Sequence, residues 1–401
     1  MSGLLDLPPE LVIRIAQELR NDTYTAKERQ SDLARLAKVR ACSSVKPCPP
    51  GPLSEVYDLL GSLQVHPTLT VVARSLLYGG QVTARSAGRT HLLARSLTSN
   101  PTLSEFIRTL SFKSENDAGH VESLVTILKH CPLLEDLTLS AVYLLKNPPA
   151  SLYGALQAHA QLRAFSYGFQ KKHILLETIA PLLQSFPNLK HLALTGFVEP
   201  EIPRFTFSSL RFGPPPSYSL ESLSITDWLF PCTKMWVTDE LEWVFGATDG
   251  LRAFEARELD ATRVPLDDIL DCVARRSRLS GLRKFVFRQC FVSAPPRLID
   301  PNSLATLYPQ LEHLSLMPDE FESSFAIPEP HLVLPPQLRT LQLDEDLFLS
   351  WRLLETIRDP SLPRSLRQVR LRGPFASDPD VKLLKRACTV RGIECEVTRA
   401  F

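Results

Sequence analysis

The most informative absences in this 401-residue chain are those of catalytic and metal-binding motifs. The chain contains no G-x-x-x-x-G-K-[ST], G-x-G-x-x-G, H-E-x-x-H or G-x-S-x-G sequence, so the common phosphate-binding, zinc-protease and serine-hydrolase motifs are missing. The nine histidines are scattered along the chain, and Cys290, at a structural position of its unit, has no identifiable base nearby. We therefore expect a protein that is not itself an enzyme and has no catalytic residues, cofactor or metal.

Cysteine, net charge and long apolar runs are also scarce. The eight cysteines include no two C-x-x-C pairs, which favours reduced thiols in a cytoplasmic or nuclear protein over a zinc site or disulfide framework. The 45 Lys and Arg nearly balance the 44 Asp and Glu, so nothing favours nucleic acid or an anionic membrane as a partner. No apolar run reaches the length of a membrane span. Asp6, Pro8 and Pro9 interrupt the apolar stretch that a signal peptide would need.

What the chain does contain is a repeated nonamer. Leu282-Arg-Lys-Phe-Val-Phe-Arg-Gln-Cys290 has apolar residues at positions 1, 4 and 6, and this pattern recurs in ten units spaced 27 to 31 residues apart. The position-1 residues are Ile107, Leu134, Leu162, Leu189, Leu220, Leu251, Leu282, Leu311, Leu338 and Leu366. Such a period is typical of a leucine-rich-repeat solenoid.

Each unit predicts a strand followed by a helix. Positions 4 and 6 alternate with polar residues, as in a half-buried strand, and apolar residues at helical spacing follow, for example at 266–273. Residues that would end each helix precede the next unit, namely Pro132, Pro187, Pro309, Pro336, Gly250 and Gly281. Because no unit can bury its apolar face alone, the units must stack around one core with their strands parallel.

Two short amphipathic helices are predicted at 8–20 and 32–41, in front of the repeats. Their apolar faces consist of Leu11, Ile15 and Leu19, and of Leu33, Leu36 and Val39, respectively. Asp32 is a suitable N-cap for the second helix. Two helices of this size bury little surface, so they need each other, the solenoid or a partner.

This N-terminal stretch resembles the F-box motif. The resemblance rests on Leu7-Pro8-Pro9-Glu10-Leu11, with Ile15 and Leu19, and on Asp32-Leu33-x-x-Leu36-x-x-Val39. In that family these helices insert into a Skp-type adaptor of a cullin–RING ubiquitin ligase. An F-box followed by leucine-rich repeats is a known architecture, and the chain is similar to the large set of such proteins in fungi.

The resemblance implies a substrate-recognition subunit of an SCF-type ubiquitin ligase, with a Skp-family adaptor, a cullin and an unknown target protein as partners. The residues that it implies for adaptor binding are Leu7, Pro8, Pro9, Leu11, Ile15, Leu33, Leu36 and Val39. An alternative is a leucine-rich-repeat interaction scaffold without a role in ubiquitin transfer. A third, an enzyme or enzyme inhibitor built on the concave face, would need a cluster of convergent polar groups, which the sequence does not reveal.

Two features depart from the F-box pattern. Leu33 follows Leu19 after 14 residues, more than the short connection usual in the family. The prolines between Pro47 and Pro52 stand where the family continues into a third helix, and they forbid a helix there. The pattern resumes at 66–78, so 43–65 reads as an insertion. A genuine loop and a translated intron both stay open as its origin.

The predicted organisation has three parts. An all-α F-box-like module spans 1–42, and a proline-rich insertion or linker with leading helices, one around 92–97, spans 43–100. The α/β leucine-rich-repeat solenoid spans 101–401, with its first full strand at 106–112. It closes with a helix at 378–388 and an edge strand at 391–397, whose Glu394 and Glu396 protect the exposed edge.

The predicted target-binding residues lie in the repeats. Side chains at positions 3 and 5 should point outward onto one concave wall, and position 2 is charged in all ten units. From this row, this wall and the aromatic connections we select Arg252, Lys284, Arg283, His313 and Trp228 as candidates for target binding. The alternative for the charged row is an ordinary solvated edge of the strands.

Overall fold

The protein is an α/β structure built on one parallel β-sheet. The computed structural model describes residues 78, 80–84, 86–114, 119–141, 149–168, 176–198, 213–229, 234–261, 266–278, 281–288, 291–292, 305–317, 333–344, 350–372 and 379–398. The F-box-like module predicted at 1–42, with its adaptor-binding residues, and the insertion predicted at 43–65 lie outside the described residues.

Strands and helices alternate along most of the described chain. The strands are β1 (Gln81–Ala84), β2 (Thr109–Ser114), β3 (Asp136–Ala141), β4 (Ala164–Gly168), β5 (His191–Val198), β6 (Ser222–Leu229), β7 (Ala253–Ala261), β8 (Lys284–Arg288), β9 (Phe291–Val292), β10 (His313–Met317), β11 (Thr340–Asp344), β12 (Gln368–Arg372) and β13 (Glu394–Thr398). The helices are α1 (Ala87–Ser99), α2 (Gly119–His130), α3 (Ala150–Gln157), α4 (Leu176–Gln184), α5 (Lys234–Phe245), α6 (Leu266–Arg276), α7 (Ser350–Arg358) and α8 (Pro379–Val390). A 3₁₀ helix, Pro101–Phe106, precedes β2.

The strands lie side by side in sequence order from β1 to β13, apart from the two-residue β9, which pairs with β7 off this path. Every ladder between these strands is parallel, as expected when a helix returns the chain to the same end of the sheet. The prediction of stacked strand–helix units with parallel strands is therefore confirmed, and the arrangement is compatible with a solenoid.

The repeat pattern explains both the core and the ladder. All ten position-1 residues are buried, from Ile107 at 0% exposure to Leu366 at 2%. The position-2 carbonyl of one unit accepts N–H groups from positions 2 and 3 of the next. For example, Glu135 and Asp136 donate to the Arg108 carbonyl oxygen at 2.8 and 3.0 Å. This pair of hydrogen bonds to one carbonyl oxygen joins neighbouring units just before each strand begins.

Aromatic side chains line the core of the middle units. Phe285 stacks on Phe254 with ring centroids 5.9 Å apart and on Tyr308 at 6.1 Å, and Phe254 contacts Phe245 at 6.3 Å. The Tyr308 hydroxyl is buried but donates to the Leu270 carbonyl oxygen at 2.6 Å. Phe254 and Phe285 are both position-4 residues and face each other across the ladder, whereas Phe245 and Tyr308 precede the strands of their units. Together these contacts join the core of one unit to that of the next.

Two predicted helix ends are wrong. Gly250 is predicted as the C-terminal glycine before its unit, but α5 ends at Phe245 and Gly246 follows it with φ +58°. Gly246 also packs closely on Pro216, because a Cβ there would lie 2.4 Å from the Pro216 carbonyl oxygen. Gly281 has the left-handed backbone, with φ +66°, but it too lies beyond the helix, because α6 ends at Arg276.

The start of the sheet differs from the prediction, and its end agrees with it. The sheet begins with β1 at Gln81, ahead of the first strand predicted at 106–112, while the predicted helix at 92–97 lies within α1. At the other end, the predicted cap helix and edge strand are present as α8 and β13, and β13 pairs only with β12 among the described strands.

Candidate functional site

The surface that remains open in the described fold is the face of the sheet opposite the core. We call it the open face and define it by positions 3 and 5 of the ten units. These residues are Thr109, Ser111, Asp136, Thr138, Ala164, Ser166, His191, Ala193, Ser222, Ser224, Ala253, Glu255, Lys284, Val286, His313, Ser315, Thr340, Gln342, Gln368 and Arg370. Because side chains alternate along a strand and positions 4 and 6 are buried, positions 3 and 5 point away from the helices.

Two positions on this face depart from the predicted exposure. Val286 is 2% exposed and Ser315 is 0% exposed, although both were expected to point into solvent. They are register partners on β8 and β10. The remaining eighteen positions are exposed or half-buried, so the correction is confined to one spot between these two strands.

The open face changes chemistry along the sheet. From β2 to β6 its positions carry mostly hydroxyl groups and small residues, and Asp136 and His191 are the two with ionisable side chains. From β7 onwards the positions include Glu255, Lys284 and Arg370. A partner would therefore meet hydrogen-bonding groups at one end and fixed charges at the other.

A polar line crosses β3 to β6 at position 3. His191 Nδ1 and Ser222 Oγ are 2.8 Å apart and share a hydrogen bond. Asp136 lies two strands from His191, with Ala164 between them in register. Partial burial raises the pKa of the Asp136 carboxyl, and the charge of His191 opposes that rise.

This line is not a formed catalytic triad. A nucleophile needs a base that is itself oriented by a hydrogen bond to a third group. Asp136 acts on His191 through charge, and no hydrogen bond joins the two in the part of the chain that the structure describes. The line instead offers a partner adjacent donors and acceptors, at an exposed His191 and a half-buried Ser222.

A compact charged cluster lies on β7 and β8. Glu255 contacts Arg257 Nε at 2.5 Å and Lys284 Nζ at 3.1 Å, and its side chain is 17% exposed. Partial burial alone would raise the pKa of this carboxyl. The hydrogen bond and charge of Lys284, together with Arg257, outweigh burial, and the pKa of Glu255 lies below its ordinary value.

The charged row at position 2 forms ion pairs between neighbouring units. Arg108 pairs with Glu135 at 3.7 Å and Arg252 with Glu221 at 3.8 Å. Glu312 lies between two arginines, 3.6 Å from Arg283 and 3.4 Å from Arg339. The side chains are largely exposed, so each pair contributes little, about 0–1 kcal/mol. The three glutamates of the row thus engage Arg108, Arg252, Arg283 and Arg339, and the row as a whole keeps its basic excess.

Three cations in this row, Arg163, Lys190 and Arg367, have no carboxylate within ion-pair distance among the described residues. The first two are adjacent, and the glutamates next to them in the row, Glu135 and Glu221, pair with Arg108 and Arg252. Arg163 and Lys190 follow each other along the row on neighbouring units, since the Lys190 N–H donates to the Arg163 carbonyl oxygen at 2.7 Å. They directly precede Ala164 and His191, which are two residues of the polar line.

Four of the five candidate target-binding residues lie close together. Arg252, Arg283, Lys284 and His313 stand at the beginnings of β7, β8 and β10, and Lys284 is the register partner of His313. Three of them are already engaged, in ion pairs with Glu221, Glu312 and Glu255. The fifth candidate, Trp228, lies near the far end of β6, beside Phe197 and Leu259, and is not part of this group.

Sequence reasoning missed Arg163, Lys190 and the contact between His191 and Ser222. A usable signal was present, because position-2 residues of consecutive units are spatial neighbours. Arg163 and Lys190 are consecutive basic residues in that row, so they compete with Arg108 and Arg252 for the two flanking glutamates. Reading the row in pairs would have identified them.

No metal site is evident in the described ranges, where no three His, Cys, Asp or Glu side chains are grouped to hold an ion. Cys131 and Cys272 are buried, and burial raises the pKa of each thiol to about 12. Within these ranges no helix combines the length and apolar character needed to cross a bilayer.

No model of a known protein family matches the chain, and no curated protein matches it.

Proposed function

We propose that the chain is the substrate-recognition subunit of an SCF-type ubiquitin ligase, with an N-terminal F-box and a leucine-rich-repeat solenoid. The observation that carries the solenoid half is the burial of all ten position-1 residues beneath consecutive parallel strands. The F-box half is supported by the sequence resemblance, since 1–42 lies outside the described residues. Leu7, Leu11, Ile15, Leu33, Leu36 and Val39 would contact the Skp-family adaptor.

The mechanism in this proposal is proximity. The adaptor and cullin would hold the F-box near the charged ubiquitin-conjugating enzyme, and the solenoid would hold the target beside it. Keeping two reactants in one complex replaces a bimolecular encounter, so the chain needs no catalytic side chain of its own.

The open face is the proposed target-binding surface. Its first half offers hydroxyl groups and the His191–Ser222 pair, and the position-2 cations Arg163 and Lys190 lie beside it. On its second half Lys284 is held in an ion pair, as are Arg252 and Arg283 beside the face, which fixes their positions but reduces their free charge. The first half therefore suits an acidic or hydrogen-bonding target segment better than the second.

Co-elution with a Skp-family adaptor tests this proposal. Three forms of the chain are compared: the wild type, the Leu7→Asp/Leu11→Asp double variant, and a deletion of 43–65. Stoichiometric binding of the wild type or the deletion form, lost in the double variant, is the expected result, because aspartates cannot be buried in an apolar interface without a large cost.

The alternative function is a leucine-rich-repeat scaffold without a role in ubiquitin transfer. It is favoured by one observation, the prolines between Pro47 and Pro52, which replace the third F-box helix. If neither the wild type nor the deletion form binds the adaptor, the scaffold takes the place of the ligase subunit.

A further inference from the structure

The C-terminal cap brings two cysteines together. Cys388 lies on α8 and is fully buried, while Cys395 lies on β13 at a position that faces the core and is half-buried. The two are joined by a tight turn, in which the Ile393 N–H donates to the Cys388 carbonyl oxygen at 2.8 Å. Cys395 packs against the same core cluster that contains Cys388.

The two thiols differ in exposure, since Cys388 is fully buried and Cys395 is half-buried, and this sets their different reactivity. The hydrogen bond from Cys388 lowers the pKa of the Cys395 thiol, against the effect of burial, and the charge of Lys385 lowers it further. The same hydrogen bond, followed by burial, raises the pKa of Cys388. Cys395 is thus the thiol with more thiolate character and better access to solvent, and thiolate is the reactive form.

The other described cysteines provide a contrast within the same chain. Cys131 and Cys272 are each fully buried. Burial is the main cause that raises the pKa of both thiols to about 12. Neither has a second cysteine as a hydrogen-bonding neighbour among the described residues, so neither has the partner that a disulfide requires.

We propose that Cys388 and Cys395 form a redox-sensitive dithiol, which hydrogen peroxide oxidises to a disulfide that ties α8 to the edge strand β13. The Cys395 thiolate attacks one peroxide oxygen, the O–O bond breaks, and Cys395 becomes a sulfenic acid as the leaving hydroxide takes up a proton to form water. The Cys388 sulfur then attacks the Cys395 sulfur, and the S–O bond breaks with loss of a second water. In sum, two thiols and one peroxide give one disulfide and two water molecules.

The disulfide would act on the last strand of the sheet. β13 lies at the end of the strand order, and its hydrogen bonds to the sheet run to β12 alone among the described strands. Edge elements of this kind open locally more easily than central strands. A covalent link to α8 closes the short loop between them and limits the open states of the strand.

The direct test is disulfide mapping on the full chain. The reduced protein is treated with one equivalent of hydrogen peroxide, blocked with iodoacetamide under denaturing conditions, and digested without reduction for mass spectrometry. The expected product is a peptide pair linked through Cys388 and Cys395, with Cys131 and Cys272 recovered as alkylated thiols. A link from Cys395 to Cys42, Cys48, Cys232 or Cys290, or full alkylation of Cys395, would overturn the proposal.

Two variants assign the roles of the two sulfurs. In Cys388→Ser the sulfenic acid has no resolving thiol, so dimedone should label Cys395. In the matched variant Cys395→Ser, Cys388 should stay unlabelled because it is buried. Labelling of Cys388 in the second variant, or none at Cys395 in the first, contradicts the assignment. The chemistry is independent of adaptor binding, so the Leu7→Asp/Leu11→Asp chain should oxidise like the wild type.

Hydrogen exchange tests the structural consequence. Amides of β13 should exchange at least about tenfold more slowly in the oxidised protein, because local opening is restricted. Dithiothreitol should restore the faster exchange, and amides of β5 in the middle of the sheet should not change. Equal exchange of β13 in both redox states would show that the disulfide does not hold the strand.

Discussion

His159 shows how one buried residue makes stability depend on pH. It is 2% exposed, its Nε2 lies 3.1 Å from the Leu128 carbonyl oxygen, and its Nδ1 faces the Gln161 amide. The carbonyl oxygen needs a donor, which assigns the proton of the neutral ring to Nε2. Burial lowers the pKa of His159, against the effect of the hydrogen bond to Leu128.

The sign of the pH effect follows from this lowered pKa. Below an ordinary histidine pKa of about 6.5, the unfolded chain takes up a proton that the folded protein does not bind until a lower pH. His159 therefore makes the free energy of unfolding fall as the pH drops from about 7.5 to 5.5. The expected loss is about 1.4 kcal/mol for each unit between the two pKa values.

Urea unfolding at these two pH values measures the effect. The His159→Asn variant should be less stable than the wild type at the higher pH but should lose less stability on acidification. His91→Gln is the matched control, since His91 is exposed on α1 and stays in water in both states. An unchanged pH dependence in His159→Asn would contradict this role of His159.

At the residue scale, the sequence predicts which side chains are buried better than which ones pair. The position-1 leucines were identified from spacing alone and are all buried. The ion pair between Arg283 and Glu312 and the contact between His191 and Ser222 join residues about thirty positions apart. The repeat period brings such residues together on neighbouring units, but which of them pair depends on side-chain rotamers and on competition between neighbours.

At the scale of single elements, Gly168 marks the closest approach of two strands. It ends β4 with φ +137°, a conformation that side chains rarely adopt. A Cβ at this position would lie 1.8 Å from the Thr195 carbonyl oxygen on β5. The Thr195 oxygen belongs to the backbone, and the backbone of Gly168 fixes where its Cβ would lie. The strands would therefore have to separate to admit a methyl group.

We therefore expect Gly168→Ala to lower the free energy of unfolding by about 3 kcal/mol or more. Gly154→Ala is the matched control. Gly154 is exposed within α3 and has no atom within 4 Å of the added Cβ, so alanine should stabilise the helix by about 0.5–1 kcal/mol. Urea midpoints measure both, and equal midpoints for Gly168→Ala and the wild type would refute the close approach.

The sequence predicts the elements at the C-terminal end of the sheet but not the strand at its start, and the difference has a physical cause. The cap helix and edge strand at the C-terminus were recognised because α8 has a clear apolar face and β13 alternates charged with apolar residues. β1 was missed because the residue at position 1 of its unit is Gly79, so Val82 and Ala84 at positions 4 and 6 do not complete the repeat pattern. Its place is set by pairing with β2, a tertiary contact that overrides weak local preference.

At the scale of the whole molecule, the period of the repeat was enough to predict a parallel sheet with strands in sequence order. A fixed spacing with a helix between strands leaves each unit one neighbour on either side, and the observed order follows this rule. Exposure on the open face was harder to predict, as the buried Val286 and Ser315 show. Burial there depends on the packing of the whole sheet rather than on the position within a unit.

In the proposed function, the N-terminal module binds the adaptor and the open face binds the target, so the two surfaces are separate. Cross-linking with an amine-reactive reagent tests this separation, because the chain has lysines in both places. Lys27 and Lys38 belong to the module, and Lys190 and Lys284 lie on or beside the open face. The purified complex with a Skp-family adaptor would be cross-linked, digested and mapped by mass spectrometry.

We predict links from the adaptor to Lys27 and Lys38 and none to Lys190 or Lys284. Cross-links from the adaptor to Lys190 or Lys284, or the absence of any adaptor complex, would contradict the division of the chain into an adaptor-binding module and a free target-binding face.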